Sequence, residues 1–301
     1  MIEARTLRAW VKRALPPWMR RTIRAPITYL QRVGRWGIVL VQMRGVSLSD
    51  EVKLLGSALA APFTCWRDLS HWQDPVLLAD INVHVPGIGQ FALRKRTDDL
   101  FHVLPYRERA LIKAMRSLLR PGDMFVDAGA NIGVYTVFAS RLVGDSGKVV
   151  AFEMMPDTAE ILLRHIDRNA CSNTQMFQQA LSDHAGDVFT ARVSAGKHGQ
   201  ASIIRSDFGE GFSEVKVIST TLDASLVDGA AIRLIKMDLE GAEERAMTGA
   251  VEVLRRTHAV IFEDWTSPQQ STESGPRILR DLGFELRRID GRNWIAVRAS
   301  V

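Results

Sequence analysis

The chain has 301 residues, 46% of them hydrophobic, enough to bury one substantial core and carry a small extra segment. Its net charge of +5 is uneven: residues 1–35 hold nine Arg and Lys against Glu3 alone (+8) and the remainder carries −3, so any nucleic-acid or membrane argument rests on the first 35 residues. Cys65 and Cys171 exclude a disulfide framework and a zinc site, no apolar run reaches about 18 residues as a spanning helix would need, and Arg and Pro interrupt every candidate secretory signal.

Residues 3–15 form an amphipathic helical pattern. Leu7, Trp10, Val11, Ala14 and Leu15 share one face, and Arg5, Arg8, Lys12 and Arg13 the other. Pro16-Pro17 stops it, and a second basic, aromatic stretch from Trp18 to Trp36 is expected to break at Pro26. Two readings stand side by side: an interfacial helix on anionic lipid, or a helix docked on its own domain or a second subunit. Residues 49–72 read as helical around a loop at Pro62, and 75–85 with 90–93 as a hairpin. A helix over 106–119 precedes the turn Arg120-Pro121-Gly122-Asp123.

Strand and helix then alternate: strand 124–127, helix 132–142, strand 148–153, helix 157–169, strand 175–180. Segments 186–193, 201–204 and 214–219 break the rhythm as strands around a Gly-rich loop. Alternation resumes with strand 232–237, helix 242–255, strand 258–263 and helix 273–282. A hairpin of 284–289 and 293–297 turning at Asp290-Gly291 closes the chain. This is an α/β fold with a mostly parallel sheet and an antiparallel edge.

The stretch from Met124 to Gly133 is a strand, a small-residue loop and a helix start, where α/β folds place adenine-containing ligands. No Lys follows Gly133, which excludes a P-loop. Gly129 and Gly133 lack the middle glycine of a dinucleotide fingerprint, which disfavours a nicotinamide oxidoreductase. The loop Asp127-Ala-Gly129-Ala-Asn131-Ile-Gly133 fits the acid-x-G-x-x-x-G pattern of S-adenosylmethionine sites, where an acid can hold the ligand's ammonium. Glu153, at the end of the next strand, can accept both hydroxyls of a ribose diol. Ser182 and Asp183, after the third strand, can receive the adenine amino group.

The ordered series VDAGANIGVYT, AFE, ALSD, TTLD (Thr220 to Asp223), IKMDLEGAE (Ile235 to Glu243) and VIFE resembles the FkbM family of S-adenosylmethionine-dependent methyltransferases over about residues 120–265. The resemblance implies a Rossmann-like class I methyltransferase sheet. It also implies transfer to a hydroxyl oxygen of a sugar, glycan or natural-product acceptor. One departure stands out: the family's Glu-Pro-x-Pro is here Glu153-Met154-Met155-Pro156, which alters the loop beside the ribose without removing the carboxylate.

Strand 232–237 delivers Lys236, Asp238 and Glu240 to the carboxyl edge of the sheet, and alternation turns Lys236 and Asp238 to one side. An alcohol needs its proton removed before it attacks a sulfonium methyl group, so Asp238 and Glu240, with Lys236, are the candidates for base or orienting group. No metal is expected, although Asp238, Glu240 and Glu263 are oxygen ligands of the kind Mg²⁺ takes. His198, in the Gly-rich loop, is a lesser candidate base, and the other histidines, His102 included, read as structural or surface residues. The plainer alternative is that Lys236 and Glu240 form a structural ion pair and that Glu243 is a solvated helix residue. The expected organisation is a basic helical extension over 1–74 and a methyltransferase domain over 75–301. The expected setting is the cytoplasm, with residues 1–35 contacting a membrane or another subunit and nucleic acid not a partner. A non-catalytic, membrane-associated scaffold of the same fold is the alternative.

Overall fold

Strand β4 (Met124–Ala128) is buried along its whole length, and its alternate residues enter two different cores. Phe125 packs with Leu234, Ala259 and Ile261 in one core; Met124, Val126 and Ala128 pack with Val260 and Phe262 in the other. Only a strand covered on both faces needs such a continuous apolar run. A computed structural model describes residues 17–64, 75–194, 201–204, 212–263, 274–291 and 293–298. The expected helix over 3–15 and the loop bearing His198 lie outside them.

Helix α1 (Pro17–Gln42) leads through the short strand β1 (Arg44–Gly45) to α2 (Leu48–Thr64). The hairpin β2 (Ile81–Val85) and β3 (Gly89–Leu93) follows, then α3 (Asp99–His102) and α4 (Arg109–Leu118). Beyond β4 come α5 (Val134–Val143), β5 (Lys148–Phe152), α6 (Pro156–Arg168), β6 (Thr174–Phe177), β7 (Ala180–Leu181), β8 (Val188–Ser194), β9 (Phe212–Thr220) and α7 (Leu222–Ser225). The chain continues with β10 (Ile232–Met237), α8 (Glu243–Thr248), α9 (Val251–Arg255), β11 (Thr257–Glu263), α10 (Ser274–Asp281), β12 (Phe284–Arg288) and β13 (Asn293–Arg298).

The seven-stranded sheet runs β12-β13-β11-β10-β4-β5-β6. Its five inner and β6-side strands are parallel, and β13 is antiparallel to both β11 and β12. This is the class I methyltransferase layout expected from the strand pattern, terminal hairpin included. The chain leaves β4 toward β5 on one side and reaches β10 on the other, so a crevice opens at the carboxyl ends of β4 and β10.

Four expectations change. Helix α1 runs through Pro26, and α2 runs through Pro62 in its last turn. Proline forbids one backbone hydrogen bond but its fixed φ suits a helix, so packing can carry the helix past it. The third strand splits: β6 stays in the main sheet, whereas β7 leaves to pair with β9 beside the β8–β9 hairpin. The helix expected over 242–255 divides at Gly249, where a Cβ would lie 2.3 Å from the Ser182 carbonyl oxygen. The later part of the N-terminal segment packs against the rest of the chain: Trp36, Val39, Met43, Leu54 and Ala61 share one core with Val83 and Phe91.

Candidate active site

At the carboxyl ends of β4 and β10 lies a cavity of about 620 Å³, within the range of small-ligand sites. Of the candidate residues, Gly129, Asn131, Glu153, Lys236, Asp238 and Glu240 line it. Asp127, Gly133, Ser182 and Asp183 do not.

The glycine loop is held by its own hydrogen bonds. The N–H groups of Gly129 and Ala130 both donate to the Phe152 carbonyl (3.0 and 2.8 Å), that of Asn131 donates to Glu153 Oε2 (2.9 Å), and that of Gly133 donates to Ala130 O (2.9 Å). A phosphate-binding loop keeps such donors for its ligand. This loop has committed four of them internally, which fits a ligand without phosphate. Gly129 is small because the neighbouring strand is close: at φ +81° its Cβ would lie 2.0 Å from the Asp238 carbonyl oxygen. Gly133 caps α5 at φ +87°, and a Cβ there would meet Leu162 of α6 at 2.4 Å. Both glycines thus serve packing of the loop rather than approach of a ligand.

Beneath the loop sits a buried ion network. Asp127 is fully buried, and its Oδ2 accepts a hydrogen bond from Thr136 Oγ1 at 2.7 Å. Lys236 Nζ stands 3.5 Å from Asp127 Oδ1 and 3.5 Å from Asp238 Oδ2, and donates to Gly129 O at 3.2 Å. The ring of Tyr135 lies 5.1 Å from the same ammonium. Burial pushes the Asp127 carboxyl up, against the pull of Lys236 and the Thr136 hydroxyl. Burial would lower Lys236, but Asp238, Asp127 and Glu108 outweigh it and hold the amine protonated. Lys236 thus ties the site together as an ammonium, a state that disfavours the role of base offered for it.

Two further carboxylates clamp backbone. Glu153 receives the Asn131 N–H on one oxygen and the Met155 N–H on the other (2.8 Å), while burial raises its pKa to about 7. Each oxygen retains a lone pair toward the cavity. Glu243 is buried rather than solvated: it accepts the N–H groups of Leu239 (2.7 Å) and Gly241 (3.1 Å), and burial raises its pKa to about 8. It thereby fixes the turn that presents Asp238 and Glu240, in which Glu240 adopts φ +52°.

Asp183 misses the cavity because β7 has left the main sheet. Its Oδ1 accepts from Ser182 Oγ (2.8 Å) and faces Arg245 Nε at 3.2 Å; the Ser182 bond is the main cause of its lowered pKa. Gln179 and Leu181 line the wall in its place, beside Phe152, which stacks on Phe177 with centroids 5.1 Å apart. Sequence reasoning also missed α3. His102 lines the cavity and its Nε2 lies 3.2 Å from Asp98 Oδ2. Burial would lower the imidazole pKa, but Asp98 and Asp238 together raise it. Glu108, raised by burial and then by Asp238, completes this wall. Ala201 and Ile203 line the cavity, and Ser202 Oγ donates to Glu240 O at 2.9 Å, so the end of the Gly-rich insertion reaches the site.

The lining carries six carboxyl groups (Glu108, Glu153, Asp238, Glu240, Glu263 and Asp290), two of them with raised pKa, against Arg107, Lys236 and His102, a modest excess of acid that favours a cation. Asp127 Oδ1, fully buried, receives no hydrogen bond. Glu153 on the rim of a phosphate-indifferent loop and an acidic floor match the ribose, ammonium and sulfonium of S-adenosylmethionine. The residues present therefore fit that cofactor. Among the described residues, no group of three His, Cys, Asp or Glu side chains is arranged to hold a metal ion.

A family model described as the methyltransferase FkbM domain matches residues 127–286. The chain is similar to methyltransferase sdnD of Sordaria araneosa, 27% identical over 206 residues that cover 58% of this chain and 78% of that protein. It is similar to hexuronic acid methyltransferase AglP of Haloferax volcanii, 26% identical over 159 residues covering 52% of this chain and 62% of that protein. A ribosomal RNA large subunit methyltransferase E of Xanthomonas oryzae pv. oryzae is 29% identical over 115 residues, covering 33% of this chain and 55% of that protein. The chain thus spans less than two thirds of the length of the last two relatives.

Proposed function

Because the chain belongs to the FkbM methyltransferase family, we propose that it transfers the methyl group of S-adenosylmethionine to a hydroxyl oxygen of a sugar-type or other small-molecule acceptor. The observation that carries this reading is Lys236, held between buried Asp127 and cavity-facing Asp238 at the acidic floor. The relative that acts on a hexuronic acid supports a polyhydroxylated acceptor.

The cofactor supplies a methyl group on a positively charged sulfur, activated for in-line displacement. Glu153 would accept the ribose hydroxyls, and Phe152, Leu181 and Gln179 would enclose the adenine. Asp238 is the group that meets the acceptor. Its Oδ2 faces Lys236, which aims the carboxylate and leaves Oδ1 to accept the hydroxyl proton as the acceptor oxygen forms its bond to carbon. The electrons of the broken sulfur–carbon bond remain on sulfur. Lys236 is a positioning residue, and Glu240 walls the acceptor side. Setting such partners in place is the main help a displacement of this kind needs.

Incubation with methyl-labelled S-adenosylmethionine and a panel of uronic acids, neutral sugars and an RNA tests this reading. The expected product is a base-stable methyl ether on a sugar, lost in Asp238→Asn. Label found on RNA or in a base-labile ester would contradict it.

A further inference from the structure

The N-terminal helices carry a surface that the catalytic reading does not use. On α2, Leu48, Val52, Leu55, Leu59 and Phe63 recur at helical spacing on one face and are 41–83% exposed. Glu51 borders the stripe in its first turn, and no charged residue lies on that face beyond it. The opposite face, with Asp50, Leu54, Ser57 and Ala61, is buried. Asp50 pins it there by accepting the N–H of Asn82 (3.0 Å) and the hydroxyl of Ser47 (2.7 Å), so the stripe cannot roll inward. On α1, Leu30 (66%) and Val41 (78%) are exposed in the same way, with Gly34 and Gly37 between them on that face. Contiguous apolar exposure on this scale marks an interaction surface.

The two helices run antiparallel. A tight turn joins them at one end, and at the other Tyr29 Oη donates to the Pro62 carbonyl at 2.9 Å. The first twelve residues of α1, 17–28, therefore continue past the end of α2 by about 18 Å at helical rise. That projection includes Trp18, Arg20, Arg21 and Arg24 in the part of the sequence that holds the +8 charge.

We propose that this helical hairpin seats the protein on an anionic lipid surface, with the α2 stripe against the acyl boundary and the N-terminal arginines among the headgroups. Two other occupants fit less well. Residues 3–15, as a helix folded back from Pro16-Pro17, would reach about 20 Å, covering the projecting part of α1 and leaving Leu48 to Leu59 bare. A second copy seated on the stripe would cover the apolar face and leave the basic projection without a partner of opposite charge. Lipid satisfies the apolar stripe and the charge at once. No described helix is long and apolar enough to cross a membrane, so the contact is peripheral.

The test is co-sedimentation of the full chain with phosphatidylcholine vesicles, with and without phosphatidylglycerol, at low and high salt. Binding should require the anionic lipid and weaken with salt. Leu59→Glu/Phe63→Glu should weaken it on the order of a hundredfold, taking about 1.5 kcal/mol or more per apolar side chain. Both positions face solvent, so the variant's thermal unfolding should match the parent. Arg20→Glu/Arg21→Glu provides a second handle, with an expected loss of binding and an unchanged fold. Failure of the folded parent to bind anionic vesicles, or undiminished binding by the stripe variant, would overturn the proposal. So would a dimer in light scattering that Leu59→Glu/Phe63→Glu dissociates, since the stripe would then be a self-interface.

Discussion

Lys236 and Asp127 lie directly opposite each other on adjacent parallel strands, and Lys236 Nζ stands 3.5 Å from Asp127 Oδ1. The pairing joins the strand before the glycine loop to the strand that delivers Asp238. One buried cation therefore holds the two walls of the cavity in register.

Removing that cation leaves Asp127 buried without its charge partner. Lys236→Met should lower unfolding stability by about 3 kcal/mol, the scale of a broken buried pair. Asp127→Asn in the same chain should recover part of the loss, because the remaining group no longer carries charge. Denaturant titration of the two single variants and the double variant measures the coupling; strictly additive losses would contradict it.

Glu153 should make ligand affinity depend on pH near neutrality. With its pKa raised to about 7, the carboxyl is increasingly protonated below that value and loses acceptor capacity for a ribose diol. Affinity for S-adenosylhomocysteine should fall as pH drops from 8 to 6, approaching about tenfold per pH unit at the acid end, and Glu153→Gln should flatten the profile. The sign for stability is opposite. A folded pKa above the unfolded value means that the folded state binds the extra proton, so ligand-free stability falls as pH rises from the ordinary carboxyl range through about 7. Glu153→Gln should remove that slope as well.

His102 titrates with its pKa raised, held by Asp98 and Asp238. The stabilisation that this imidazolium contributes is complete below the ordinary histidine range and disappears as pH rises through the folded pKa. Histidine NMR titration should place His102 above an exposed histidine, and Asp98→Asn should bring it back down.

Glu243→Ala should strand two N–H groups, those of Leu239 and Gly241, and loosen the turn bearing Asp238. We expect methyl transfer to fall by about two orders of magnitude, the effect of a small misplacement of a reacting group, with S-adenosylhomocysteine affinity retained. A loss confined to cofactor binding would contradict this assignment.

Much of the framework is visible in the residues themselves. Strand and helix alternate from Met124 onward, Asp290-Gly291 turns the terminal hairpin, and the two-residue period of a strand puts Lys236 and Asp238 on one side. What stayed hidden depends on contacts between distant segments. An acid at the end of a strand does not reveal that Lys236 will cover it, and a glycine does not reveal the Asp238 carbonyl behind it. Asp183 was misplaced because β7 pairs with β9, a choice made by the rest of the β8–β9 hairpin. His102 precedes the domain's central strand and enters the cavity only through tertiary packing. Its spacing from Asp98 is a local signal, but one that countless surface helices share.

On the proposed function, the cavity at the ends of β4 and β10 binds the adenosyl cofactor through Glu153. Calorimetric titration of the protein and of Glu153→Ala with S-adenosylmethionine, S-adenosylhomocysteine and NADH tests it most directly. Both adenosyl ligands should bind, NADH should not, and the folded variant should lose adenosyl binding. Adenosyl ligands that fail to bind the folded parent, or that bind the variant equally well, would contradict it.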